Sequence, residues 1–164
     1  MSRSTAVVRP QPAAPTVTGP VYEGLVTRGI AFAVDAALIN LAALVVSVSV
    51  GLALSVLDPS NSLEKVFLAV GAVTYVVWTI GYFVTFWSTT GQTPGNRLLQ
   101  IRVCRADDGE ALRPRKSVLR LGAMMLCLIP LGAGFLTILV DNRRRGVHDM
   151  LAGSVVVAAP VQAR

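Results

Sequence analysis

The amino-acid sequence predicts an all-α membrane protein with two transmembrane helices, a third apolar helical segment that re-enters or spans, and a small cytoplasmic β element. Three observations predict it. Of the 164 residues, 53% are hydrophobic and only 15% charged, well below the roughly 25% charged fraction of soluble domains. Two apolar runs, Val26–Leu57 and Val66–Trp87, are each long enough to cross a bilayer, for which about 20 apolar residues suffice. The polar stretches that follow the second run and the third segment carry apolar alternation and turn signals, the pattern of short strands.

The first run is nearly all aliphatic, yet Arg28 stands at its mouth and Asp35 within it. Seven residues are two helical turns, so the two share a face about 10 Å apart. A carboxylate inside a span costs about 2.5–3.5 kcal/mol on insertion scales and normally faces protein or water. Asp35 is therefore expected to point away from lipid toward Arg28, or toward an arginine or polar side chain of the third segment or tail. It is either a buried structural group or a proton or cation site. Arg28 lies near the interface, where an arginine can snorkel and anchor the helix. The helix should begin between Val21 and Thr27, and the turn Leu57-Asp58-Pro59-Ser60-Asn61-Ser62 should end it. The second run has no charge, and Trp78, Tyr82, Phe86 and Trp87 collect at its far end, as at a membrane interface.

Ser88–Lys116 is polar and reads as a loop, with Thr93-Pro94-Gly95 marking a tight exit from the second helix. Within it, Leu98–Val103 alternates as a short strand, Asp107-Asp108-Gly109 turns, and Glu110–Arg113 returns as a second strand. GQTPGNR lacks the GK[ST] ending of a phosphate loop and follows no strand. Val118–Val140 is apolar again, with Arg120 one turn in and a Pro/Gly break at Ile129-Pro130-Leu131-Gly132. It crosses as one helix, or dips in and returns as two halves. A charged turn, Asp141–Gly146, precedes His148-Asp149 and a strand at Gly153–Val157, which is expected to pair with Leu98–Val103.

The formal charge is +6. Most basic residues flank apolar runs, so orientation and contact with anionic lipid headgroups account for them, and nucleic acid is not an expected partner. Basic residues collect in the cytoplasm. Two full spans plus a re-entrant third segment place the Ser88–Lys116 loop, Arg143–Arg145 and both termini there, in a multi-pass protein of the cell membrane. Residues 1–20 read as a disordered Pro-rich tail without the continuous apolar stretch of a signal peptide. Residues 21–159 form the membrane domain, and 160–164 a C-terminal tail. Cys104 and Cys127 have no metal or redox spacing and are expected to be free thiols.

Arg28-x6-Asp35, TPGNRLLQIRV after the second span and RRRGVHDMLAGSVVV at the end occur in that order. Together they resemble the RDD family of small integral membrane proteins, from about Tyr22 to Val157. The resemblance implies that Arg28 and Asp35 are two of the name-giving residues and that Asp149, in preference to Asp141, is the third. It also leads one to expect a lysine near Asn96 and a threonine near Ser154, where this chain departs. For function it implies a transport role, with cation/proton exchange in some members, and no general ligand. The candidate functional or buried polar residues are therefore Arg28, Asp35 and Asp149. Arg143, Arg144, Arg145, His148 and Asp141 are the supporting set, with Asp149 expected to hold one of the three adjacent arginines. His148 lacks partner metal ligands and no nucleophile has a motif around it, so neither cofactor, metal nor enzyme activity is expected. Two functions stand open. One is transport, which needs an oligomer or a membrane-protein partner because so few spans enclose no pathway. The other is a non-transporting scaffold or accessory protein with structural Arg/Asp pairs.

Overall fold

A computed structural model describes residues 19–57, 60–130 and 132–159. The predicted tails, as far as residue 18 and from residue 160, lie outside the described residues. The order is α1 (Leu25–Leu57), α2 (Asn61–Thr89), α3 (Pro94–Leu98), β1 (Ile101–Arg105), α4 (Pro114–Leu128), α5 (Ala133–Val140), α6 (Val147–Ala152) and β2 (Ser154–Ala158). α1 and α2 are long and apolar enough to cross a membrane.

The two long helices are each used in two parts. From Asp35 to Leu57, α1 rises about 33 Å, enough by itself for a hydrocarbon core of about 30 Å. From Asn61 to Tyr82, α2 rises about 32 Å. Burial changes at the same levels: the buried residues of α1 are Ala31, Asp35 and Ile39, and those of α2 are Phe83 and Trp87. Beyond them the helices present their aliphatic residues outward, and one polar contact joins them there, from Tyr75 Oη to Asn40 Oδ1 at 3.2 Å. All other elements gather at the opposite end, around a core of Ala31, Ile39, Phe83, Trp87, Ile101, Val103, Leu112, Leu121, Ala152 and Val156. Asp35 thus sits where the outward-facing length of α1 meets this packed platform.

β1 and β2 pair antiparallel, with Val103 opposite Val156. Tyr22 bridges Val157 on the outer edge of β2, supported by Glu23 N–H to Val156 O at 3.0 Å and Ala158 N–H to Val21 O at 2.9 Å. The Tyr22 bridge before α1, β1 after α2 and β2 therefore meet at one end. β1 precedes α4 and β2 follows α5, so the α4–α5 segment leaves and returns on the same side. α4 and α5 are bent by 108° at the break; Gly132, with φ +80°, sits in that turn. The segment doubles back at the break, and its exposed Leu126, Leu128, Ile129, Leu136, Leu139 and Val140 give it an apolar outer face.

Two strand expectations are corrected. The first strand runs Ile101–Arg105, not Leu98–Val103, because Thr93 caps a helix with Pro94 in its first turn and Gln100, at φ +54°, turns the chain out of it. Leu98 is left exposed. Glu110–Arg113 does not return as a strand. One edge of β1 is taken by β2; on the other, Val103 N–H bonds Gly91 O and only Arg105 N–H reaches the segment, at Glu110 O, each at 2.8 Å, after which Leu112 N–H turns to Trp87 O at 3.1 Å and its side chain is buried. The second strand, Ser154–Ala158, starts one residue later than expected, since Gly153 takes φ +68° to close α6.

Candidate functional site

Asp35 and Arg28, which share a face of α1, have different partners. Asp35 is the acceptor for three donors in two other segments. Tyr82 Oη of α2 donates to Oδ1 at 2.8 Å, Thr93 Oγ1 to Oδ2 at 2.5 Å, and the Gly95 backbone N–H to Oδ1 at 2.8 Å. The expected pairing of Asp35 with an arginine is thus replaced by hydroxyl and backbone donors 47 to 60 residues away in sequence. Thr93 also accepts from Asn96 N–H at 3.2 Å, so one hydroxyl caps α3 and binds the carboxylate. Gly95 makes the approach geometrically feasible: a Cβ there would collide with the Ala31 carbonyl oxygen and stand 2.9 Å from Asp35 Oδ1.

Arg28 reaches across to Asp149 in α6, Nη1 to Oδ2 at 2.5 Å. The other oxygen, Oδ1, faces Arg120 Nη2 of α4 at 2.9 Å. Asp149 is wholly buried. It also accepts the Gly146 N–H at 3.1 Å, at the start of its own helix, and its Oδ1 lies 3.2 Å from Ser154 Oγ. A serine thus supplies the hydroxyl at the position where the resemblance led one to expect threonine. Burial alone would push the Asp149 carboxyl up, but the guanidinium groups of Arg120 and Arg28 hold it below the ordinary carboxylate range. Two guanidinium groups around one carboxylate leave an excess of one positive charge. His148 adds none near neutral pH, since burial pushes its imidazole down to about 4.

The arginine cluster divides differently from the expectation that Asp149 holds a neighbour. Arg145 pairs with Asp141 through two bonds, Nε to Oδ2 at 3.0 Å and Nη2 to Oδ1 at 3.1 Å, which draw Asp141 down to about 2. Arg144, in the left-handed region at φ +49°, offers its carbonyl to Arg28 Nη2 at 2.6 Å. The side chain of Arg143 is exposed. Asp149 cannot use these neighbours because its carboxylate points into the platform, at the third position of α6, where α1 and α4 already supply cations.

Arg120 stands outside the predicted site set and is central to it. Its guanidinium is buried, lies 4.8 Å from the Trp87 ring centroid and leaves Nε without a hydrogen-bond partner among the described residues. The signal was a single charge within an otherwise apolar segment, the same signal that marked Asp35. Thr93 was legible too, as a hydroxyl residue followed by Pro at a helix start; Tyr82 carried no signal beyond its place at a helix end. Between the two polar clusters lies a cavity of about 240 Å³. Arg28, Asp35, Asn96, Arg120 and His148 line it together with aromatic and aliphatic side chains. Cys104 and Cys127 are free and buried.

Two helices long and apolar enough to cross a membrane, a bent apolar third segment and a buried Arg–Asp–Arg network are the features of a small membrane protein. Residues 22–153 match the model of the RDD family, and the chain belongs to that family. No curated protein and no solved structure matches it.

Proposed function

We propose that this chain is a scaffold or accessory protein of the cell membrane, and that its charged residues are structural. The observation that carries this reading is how the two buried aspartates are used. Asp35 clamps α1 to α2 and α3, and Asp149 clamps α6 to α1 and α4. A carboxylate holding three internal donors or two arginines must break those bonds before it can carry an ion, at a cost of about 1–3 kcal/mol for each charged hydrogen bond. The reading takes the chain as a non-enzyme; burial pushes the Cys104 thiol up, away from the reactive thiolate. In this reading β1 and β2 face the cytoplasm, which the arginines of the loop and tail support, with Arg143 and its neighbours toward anionic headgroups. The outward aliphatic faces of α1 and α2 meet lipid, a second copy or another membrane protein.

One observation favours the alternative, proton or cation exchange by an oligomer: Asp35 lines the same cavity as Arg28 and Arg120. Reconstitution decides between the two. Liposomes containing the purified protein are expected to hold imposed proton and sodium gradients as long as empty ones. Rapid, protein-dependent collapse of either gradient would replace the scaffold by an exchanger.

A further inference from the structure

We propose that the outer face of α4 holds an anionic phospholipid, its phosphate on Arg113, Arg115 and Lys116 and an acyl chain along the apolar stripe that follows. The inference goes beyond the scaffold reading and holds equally for an exchanger. α4 is built inside out. Its buried residues include Ser117 and Arg120, while Val118, Leu119, Met125, Leu126 and the C-cap Ile129 are exposed. The exposed five recur at i, i+1, i+7, i+8 and i+11, so they share one face of the helix. Water penalises a contiguous aliphatic stripe of this kind and hydrocarbon does not. That favours lipid over a soluble acidic partner.

The cations open the same stripe. Arg115 stands three and four residues before Val118 and Leu119, so it lies on their face one turn nearer the helix start. Arg113, Arg115 and Lys116 are all exposed. The salt bridges among the described residues use Arg28, Arg105, Arg120, Arg145 and His148, and none of these three. The sequence has no carboxylate between Glu110 and Asp141, and Glu110 is itself paired with Arg105. Three like charges within four residues repel one another. A phosphate brought to them relieves that repulsion and gains charge-assisted hydrogen bonds. Arg115 to Leu126 covers about 16 Å along the helix, close to one leaflet's share of a hydrocarbon core of about 30 Å. Headgroup and chain of one lipid thus match cations and stripe in that order.

The test attaches a bimane fluorophore at Leu119→Cys, with both native cysteines replaced, in phosphatidylcholine nanodiscs. A small fraction of nitroxide-labelled phosphatidylglycerol or nitroxide-labelled phosphatidylcholine is added as quencher. Labelled phosphatidylglycerol is expected to act with an apparent affinity at least fivefold higher, since one basic side chain near an anionic surface is worth about that factor. Arg113→Gln/Arg115→Gln/Lys116→Gln should abolish the preference. High salt, which needs no substitution, should reduce it as well. Bimane at Val46→Cys, an exposed position of α1, should show none. A preference within about twofold of unity at Leu119, or one that survives the triple substitution, would overturn the proposal. An equal preference at Val46 would mean general enrichment of anionic lipid around the protein, and no site on α4. Quenching by neither lipid would put the face in water and assign it to a soluble acidic partner instead.

Discussion

Replacing Asp149 by asparagine should unfold much of the platform while leaving α1 and α2 able to insert. The amide keeps the size of the side chain and one acceptor for the Gly146 N–H. It removes the charge that Arg28 meets at 2.5 Å and Arg120 at 2.9 Å. Both guanidinium groups are then buried or half-buried without a counter-ion. Removing one partner of a buried pair costs about 3–5 kcal/mol, a large share of the 5–15 kcal/mol typical of a folded domain. The folded-to-unfolded ratio should fall by a few hundred- to a few thousand-fold. Equilibrium unfolding in mixed micelles, followed by circular dichroism, measures this directly. Asp107→Asn is the control, an exposed carboxylate in the turn after β1, and should stay within about 0.5 kcal/mol of the parent. Adding Arg28→Gln to Asp149→Asn should cost less than the two single losses summed, because the pair is already broken. An Asp149→Asn protein within about 1 kcal/mol of the parent would refute the reasoning.

Other outcomes follow from the same geometry. Gly95→Ala should push α3 off α1 and destabilise by about 1–3 kcal/mol, read as a lower melting temperature, whereas Gly122→Ala, where an added Cβ meets nothing, should not lower it. His148 is held neutral by burial, with a folded value of about 4 against 6.5 in the unfolded chain. The unfolded state therefore binds the extra proton between those values, and stability should fall as the pH drops from 6.5 to 4, by roughly 3 kcal/mol in all; His148→Gln should flatten that slope. Asp141, drawn down to about 2 by Arg145, contributes stability above about pH 4 that is lost as the pH falls toward 2, and Asp141→Asn should remove that acid-dependent part of the unfolding curve. With both native cysteines replaced, Ser60→Cys should label from outside the cell and Asp107→Cys and Gln162→Cys should not. Outside labelling of Gln162→Cys would reinstate three full spans.

The two spans, the Pro/Gly break of the third segment and the pairing of the loop strand with the last strand were legible, because each rests on composition and periodicity within one stretch. Arg28, Asp35 and Asp149 were legible as charges in apolar company. Their partners were not. Asp35 finds Thr93 and Gly95 because α3 folds back against Ala31, and Asp149 finds Arg28 across 121 residues. Adjacency in sequence favoured Arg143–Arg145 for Asp149, but the entry angle of α6 turns the carboxylate inward, and Asp141 takes Arg145 instead. Arg120 was visible as a single charge in an apolar segment, yet only the meeting of α4 with α6 gives it a partner.

In a scaffold the buried aspartates hold the fold together and carry nothing. Asp35→Asn tests this when thermal stability and proton or sodium flux are measured on the same reconstituted sample, beside the parent. A lower melting temperature is expected, since an amide cannot accept from Tyr82, Thr93 and Gly95 together as the carboxylate does, with flux at the level of empty liposomes in both proteins. A mutant of undiminished stability that abolishes a flux present in the parent would contradict it.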